Sequence, residues 1–387
     1  MTKPQDLPPL PLPQGISENY IHCPSTNLTF HILEAGSTPE RNRPLILLVH
    51  GFPEIAFSWK KVMPALADAG YYVVAYDQRG YGRTTGWDTS SYSDVDMSQF
   101  SQTTIVKDAV ALVYALGYTQ VKCIVGHDFG SVTASKCALM RPDLFTSLVM
   151  MSHPFKAPTA LPFNTLHSPS STPTTPIDIQ SDLAKLDPPR KHYKWYNSTP
   201  SAAHDWSSAP QGLHAFLRGY FHVKSADWEQ NQPYALERWS AHELAKMPEY
   251  YIMPLHKSMP DTIADMMTTQ DASKTTSWLS DTDLAVYTQE WSRTGFQGGL
   301  NHYRTSTNPT HLKDVELFAG RKIECPAVFI SGERDWGNFQ EPGALEGFGV
   351  SCRDFRGVRL VDGAGHWVQQ EQSGRVAEEV LGFLEGL

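Results

Sequence analysis

The 387-residue chain carries a formal charge of −9 at pH 7 and is 41% hydrophobic and 19% charged, the balance of a globular protein rather than a disordered or fibrous one. The acidic excess, with no Lys/Arg-rich run, argues against nucleic acid as a partner. No window approaches ~18 uninterrupted apolar residues, so no membrane span is expected, and the proline-broken start MTKPQDLPPLPLPQG does not read as a secretory signal.

In chain order, residues 1–17 predict an extended tail and Thr29 to Leu33 an edge strand. Pro44 to Val49, PLILLV, is a near-continuous apolar run suited to a central parallel strand. It ends in His50-Gly51-Phe52-Pro53-Glu54. Trp59 to Ala69 reads as a helix stopped by Gly70, and Tyr71 to Tyr76 as the next buried strand, left through Asp77-Gln78-Arg79-Gly80-Tyr81-Gly82. Gln102 to Leu116 carries Ile105, Ala109, Val110 and Val113 at helical spacing and stops at Gly117. Val121 to Val125 predicts a buried strand, Val132 to Met140 a helix, and between them lies Gly126-His127-Asp128-Phe129-Gly130. Leu144 to Met151 is another buried strand. Strand character returns at Ala327 to Ser331, before Glu333-Arg334-Asp335, and at Val358 to Val361, before Gly363-Ala364-Gly365-His366-Trp367. An amphipathic helix with Val376, Val380, Leu381 and Leu384 on one side closes the chain.

Strands alternating with helices imply an α/β fold, a mostly parallel, doubly wound sheet. Alternation fails between about residues 155 and 305, which predicts an inserted helical cap on a core of 1–154 and 306–387. Its entry, about 158–178, holds five prolines from Pro158 to Pro176 among serines and threonines and is expected to be irregular. Six of the ten tryptophans fall in the cap: Trp195, Trp206, Trp228, Trp239, Trp278 and Trp291. Cys23, Cys123, Cys137, Cys325 and Cys352 are odd in number and scattered, which suits free thiols and a cytosolic location.

Ligands of open parallel sheets bind beyond the carboxyl ends of the strands. His50, Asp128, Asp335 and His366 all follow predicted strand ends. A strand that turns straight into a helix, with glycines flanking one central residue, is the layout of a nucleophile elbow, and here Asp128 takes the place of a serine. The order Asp128, Asp335, His366 is that of nucleophile, acid and histidine in such triads. A bland reading of Asp128 is a helix N-cap, and Glu333 is an alternative acid. An aspartate is already ionised at neutral pH and suits displacement at saturated carbon, giving an alkyl ester. His366, oriented by Asp335, would activate the water that hydrolyses the ester. The N–H groups of Phe52 and Phe129 are placed to hold the resulting oxyanion.

The HGFPE, RGYG, GHDFG and GHW segments, in that order, resemble the epoxide hydrolases of the α/β-hydrolase superfamily, from about residue 20 to the end. The resemblance implies two cap tyrosines that donate hydrogen bonds to the epoxide oxygen. Gly295 to Arg304, GFQGGLNHYR, looks like the second tyrosine segment and places that role on Tyr303. Arg190 to Tyr196, RKHYKWY, resembles the first, with Tyr193 the better match and Tyr196 in reserve. Trp195, Tyr196, His302 and Trp367 are expected to bind the substrate, a small-molecule epoxide of apolar character. Where family members commonly carry tryptophan after the nucleophile, this chain has Phe129.

Rivals on the same scaffold are a dehalogenase, which uses the same Asp-His-Asp chemistry, and a biosynthetic lyase or cyclase. A haloalkane dehalogenase needs side-chain donors for the halide, and Phe129 and Phe52 supply none. The glycines of RGYGRTTG lack dinucleotide spacing and no lysine follows in Walker fashion. No His/Cys/Glu grouping has metal-ligand spacing. No cofactor is expected.

Overall fold

The computed structural model describes residues 4–156 and 178–387. The expected irregular entry at Pro158–Pro176 lies outside the described residues. The first strands are β1 (Ile16–Cys23), β2 (Leu28–Ala35), β3 (Leu45–Val49), β4 (Tyr72–Tyr76), β5 (Cys123–His127) and β6 (Leu148–Met151). A two-stranded pair in the cap, β7 (Arg190–His192) and β8 (Ile252–Pro254), precedes β9 (Ile323–Gly332) and β10 (Cys352–Val361). The main sheet has eight strands in the order β1-β2-β4-β3-β5-β6-β9-β10. From β4 to β10 every pairing is parallel, and β2 alone runs against its neighbours.

Side chains of the central strands alternate between two apolar layers. Ile46, Leu48, Cys123, Val125, Val149 and Met151 face one layer. Leu45, Leu47, Val49, Ile124, Leu148 and Met150 face the other. Burial on both sides is why these strands read as unbroken apolar runs. Helices Met63–Asp68 and Ser373–Glu385 cover the first layer, through Leu66, Val376 and Val380. Helices Gln102–Ala115 and Phe129–Met140 cover the second, through Ala109, Leu112, Ala134 and Cys137.

Three expectations are corrected at the edges. The segment around Thr29–Leu33 is an internal strand, because Ile16–Cys23, whose first two residues fall in the expected tail, form the edge strand β1 beside it. β1 is polar and half exposed, so its apolar alternation is faint. β10 begins at Cys352, well before Val358, and its first half, CRDFR, is charged and partly exposed, so it leaves no apolar run in the sequence. The expected helix from Trp59 begins as a 3-10 turn, Ala56–Trp59, and turns α-helical only at Met63.

The chain leaves the sheet after β6 and builds the cap before β9. Cap residues Trp206, Phe216, Tyr220, Trp291, Phe296 and Tyr303 join the same apolar layer as Phe52, Tyr81 and Trp367 of the core. The Phe52 ring meets Trp206 at 4.8 Å, Trp291 at 5.6 Å and Tyr303 at 5.4 Å, each edge-on. Such pairs contribute about 0.5–1.5 kcal/mol apiece beyond burial, so the loop after β3 is clamped to the cap.

Candidate active site

Asp128 sits between the end of β5 and the helix Phe129–Met140 with φ 53° and ψ −118°, a left-handed conformation unfavourable for a residue with a Cβ. Strain of this kind costs on the order of 1–3 kcal/mol and persists only where its surroundings enforce it. Two close approaches enforce it. A Cβ on Gly126 would lie 2.0 Å from the Gly130 carbonyl oxygen, and one on Gly130 would lie 2.0 Å from that of Val49. Strand and helix therefore meet backbone to backbone, and the turn lifts Asp128 above the sheet edge. Its side chain makes no helix-capping bond. Instead Oδ1 accepts the Phe52 N–H at 3.0 Å. Phe129 opens the helix, so its N–H belongs to the orphan donors of the first turn.

Asp335, three residues beyond β9, and His366, beyond β10, arrive at the same edge because the strands are parallel. His366 Nδ1 lies 3.1 Å from both carboxylate oxygens of Asp335. Its Nε2 lies 3.4 Å from Asp128 Oδ2, without alignment for a hydrogen bond, and has no other partner among the described residues. That nitrogen is free to take a proton from water. Asp335 also accepts from the Gly337 N–H at 2.6 Å. Glu333 is exposed and faces away. Burial pushes both buried aspartates toward the neutral acid, but the His366 imidazole, with Lys224, outweighs it and holds each below the ordinary carboxylate range. Their contribution to stability is present above the unfolded carboxylate range and is lost only as pH falls through the depressed folded values.

Several supporting residues were given no role in the sequence reading. His127 Nδ1 lies 2.7 Å from Glu54 and its Nε2 lies 2.6 Å from the His366 carbonyl oxygen. Both partners only accept, so both ring nitrogens must carry protons. Burial opposes the imidazolium, yet Glu54 outweighs it and raises the His127 pKa. Gln369 and Gln370 fix the other Glu54 oxygen at 2.8 and 2.7 Å. The backbone around His366 is tied down as well. Its N–H donates to the Lys224 carbonyl at 2.9 Å, and Glu371 accepts from Gly365 and Trp367, each at 2.9 Å. The position of Glu54 in HGFPE and of His127 in GHDFG was a signal available in the motifs themselves. His50, the remaining strand-end candidate, is structural. Its Nε2 accepts the Gln78 N–H at 3.1 Å, its Nδ1 donates to the Gly51 carbonyl at 2.8 Å, and burial lowers its pKa.

A cavity of about 570 Å³ opens over Asp128, with Phe129, Tyr193, Trp195 and Trp239 among its walls. Tyr193 and Tyr303 pack ring to ring at 5.9 Å, and Tyr303 lies edge-on to Phe129 at 4.5 Å. Burial raises both phenols well above their ordinary pKa, which keeps them protonated donors. The Tyr193 hydroxyl donates to Gln340 at 3.2 Å, whereas that of Tyr303 has no hydrogen-bond partner among the described residues. Tyr196 lies off this cavity, its hydroxyl donating to Asp205 at 2.9 Å. Of the other residues expected to bind substrate, Trp195 lines the cavity and two do not. His302 bonds the Arg79 carbonyl at 2.8 Å, and Trp367 is packed beneath His366 with its indole N–H on the Phe221 carbonyl at 2.9 Å. The two indoles against Phe52 have their N–H groups engaged by Asn197, from Trp206, and by Pro53, from Trp291. Neither is left for a halide.

Residues 44–194 match the family described as the alpha/beta hydrolase fold. Epoxide hydrolase B of Mycobacterium tuberculosis is 31% identical over 91% of this chain and 94% of its own length. An epoxide hydrolase from an endophytic Streptomyces superposes with a TM-score of 0.76 at 26% identity, covering 97% of this chain and 96% of that one. Epoxide hydrolase I of potato, Solanum tuberosum, gives 0.69 at 26% identity, covering 96% of this chain and all of its own.

Proposed function

This chain belongs to the epoxide hydrolases of the α/β-hydrolase fold and converts an epoxide to a vicinal diol; we propose that it does so through an ester on Asp128. Tyr303 and Tyr193 hydrogen-bond the ring oxygen, and an Asp128 carboxylate oxygen attacks a ring carbon. The C–O bond of the ring breaks as the ester C–O bond forms, and the ring oxygen takes a proton from the tyrosine side. Water then adds to Cγ of Asp128 and gives its proton to His366 Nε2, whose imidazolium Asp335 stabilises. The Phe52 and Phe129 N–H groups hold the oxyanion. Collapse expels the diol oxygen, which takes the proton from His366, and the acid left on Asp128 gives up its proton through solvent, which restores the tyrosine hydroxyl.

The observation that carries this reading is the pairing of two unlike neighbours on one carboxylate. Asp128 has an N–H donor at 3.0 Å on one oxygen and an unpartnered imidazole nitrogen at 3.4 Å from the other. Such a site can both bear an ester and clear it. We place the core at 1–154 and 306–387 and the cap at 155–305, and we place the protein in the cytosol, where its five buried free cysteines stay reduced. Among the described residues no helix is long and apolar enough to cross a membrane.

Wild-type enzyme given a panel of aryl, terpenoid and aliphatic epoxides should release diols; a panel without any diol would remove the reading. Tyr303→Phe is expected to slow ester formation on the order of 10²–10³-fold, the cost of one lost donor to a developing oxyanion. Tyr193→Phe should cost less, on the order of 10-fold, because its hydroxyl is shared with Gln340. Equal losses in the pre-steady-state burst would contradict that asymmetry.

A further inference from the structure

We propose that the cavity over Asp128 accepts an epoxide carrying a carboxylate, which Lys136 binds about two helical turns beyond the nucleophile. This specificity rests on the ring-opening site proposed above.

The helix Phe129–Met140 begins at the nucleophile. Phe129, Val132 and Lys136 stand at i, i+3 and i+7, one face of that helix, and all three line the cavity with Asp128. Lys136 lies eight positions beyond Asp128, which at about 1.5 Å per residue offsets their backbones by ~12 Å along the helix axis. Its side chain is 8% exposed. The ammonium nitrogen sits 5.4 Å from the Phe155 ring centre. Burial alone moves its pKa, down to about 8, and no carboxylate among the described residues offsets it. Residues 157–177 contain neither Asp nor Glu, so that stretch brings no counter-ion.

The other lysines near the site differ. Lys156 and Lys194 share Glu341 at 3.5 and 3.2 Å. Lys224 lies among Tyr220, Tyr251 and Trp367, facing the charges of Asp128 and Asp335. Among the described residues Lys136 is therefore a buried cation in a ligand cavity with a ring face as its compensation, and burying a charge without a partner is costly. A bound carboxylate would supply the partner and a charge-assisted hydrogen bond. Phe129, Trp195, Trp239 and Leu312 give the cavity apolar wall that suits a hydrocarbon chain, beside polar residues such as Ser131 and Thr307. A single carboxylate would pair the one lysine of the cavity that has no carboxylate partner among the described residues.

Isothermal titration of the full chain with decanoate and with decanamide tests this without turnover. Wild type should bind the carboxylate at least ~10-fold more tightly than the amide, the ratio worth 1.4 kcal/mol. Lys136→Met should bring the ratio near one, and Lys136→Arg should keep most of it. Equal affinities in wild type, or a preference that survives in Lys136→Met, would overturn the proposal. Turnover of styrene oxide by wild type, run in parallel, separates the two readings. Diol without a decanoate preference overturns the Lys136 site alone. A preference without diol from any epoxide overturns the ring-opening reading and, with it, the assignment of an epoxide to this site.

Discussion

Replacing Asp128 by asparagine is expected to lower diol formation on the order of 10⁴-fold or more while the protein stays folded. The amide occupies the same volume and keeps an acceptor for the Phe52 N–H, now 3.0 Å from Oδ1. Asparagine also tolerates positive φ nearly as well as aspartate, so the turn at φ 53° survives. What disappears is the nucleophile. The substitution removes one of three buried carboxylates, Asp128, Asp335 and Glu54, from around Lys224 and His127. The thermal midpoint at neutral pH should fall only modestly, since the ionised carboxylate that offsets the buried Lys224 and His127 is lost. A variant that lost activity by unfolding would show a collapsed near-ultraviolet circular dichroism signal. Residual turnover within about tenfold of wild type would show that Asp128 does not attack.

His366→Gln separates the two half-reactions. Attack by Asp128 needs no base, so the first step should proceed at a rate near that of wild type. Hydrolysis of the ester should slow on the order of 10³–10⁵-fold, because the proton of the attacking water has no acceptor. One equivalent of epoxide should be consumed in a burst, and the intact-protein mass should rise by the full mass of the epoxide, all of whose atoms remain on the enzyme. Digestion should locate that increase on the peptide containing Asp128. A variant that neither bursts nor gains mass would place His366 in the first step instead. Glutamine retains a hydrogen-bonding group toward Asp335, which among the described residues otherwise keeps the Gly337 N–H and a longer contact with Ser331.

The central strands were legible because both of their faces are buried, which leaves an apolar run in the sequence that polar loops interrupt. PLILLV and YYVVAY matched their observed strands to within one residue. Edge strands were harder for the opposite reason. ISENYIHC and the start of CRDFRGVRLV serve solvent on one side, so hydropathy hides them. The cap pair Arg190–His192 with Ile252–Pro254 joins segments some sixty residues apart, and neither three-residue strand has a local signal of its own.

The site divides in the same way. Asp128, Asp335 and His366 each follow a strand, and a parallel sheet delivers strand ends to one edge, so their meeting was readable from order alone. Which cap residues face them was not. Tyr193 and Tyr196 are three positions apart on one short helix, and only packing turns one toward Gln340 and the cavity and the other toward Asp205. The ion pair between His127 and Glu54 spans a gap of 73 positions and depends on two motifs that carry no mark of facing each other. Lys136 looked like one polar residue in a helical run, and its significance comes from burial without a partner, which no sequence pattern expresses.

The covalent ester on Asp128 is tested most directly by one turnover in heavy-oxygen water, with enzyme in excess over epoxide. The diol should contain no label, because its new oxygen was an Asp128 carboxylate oxygen, and the label should appear in the Asp128 peptide after digestion. Label in the diol of that first turnover, with none in the peptide, would mean that water attacks the epoxide itself and that Asp128 is never alkylated.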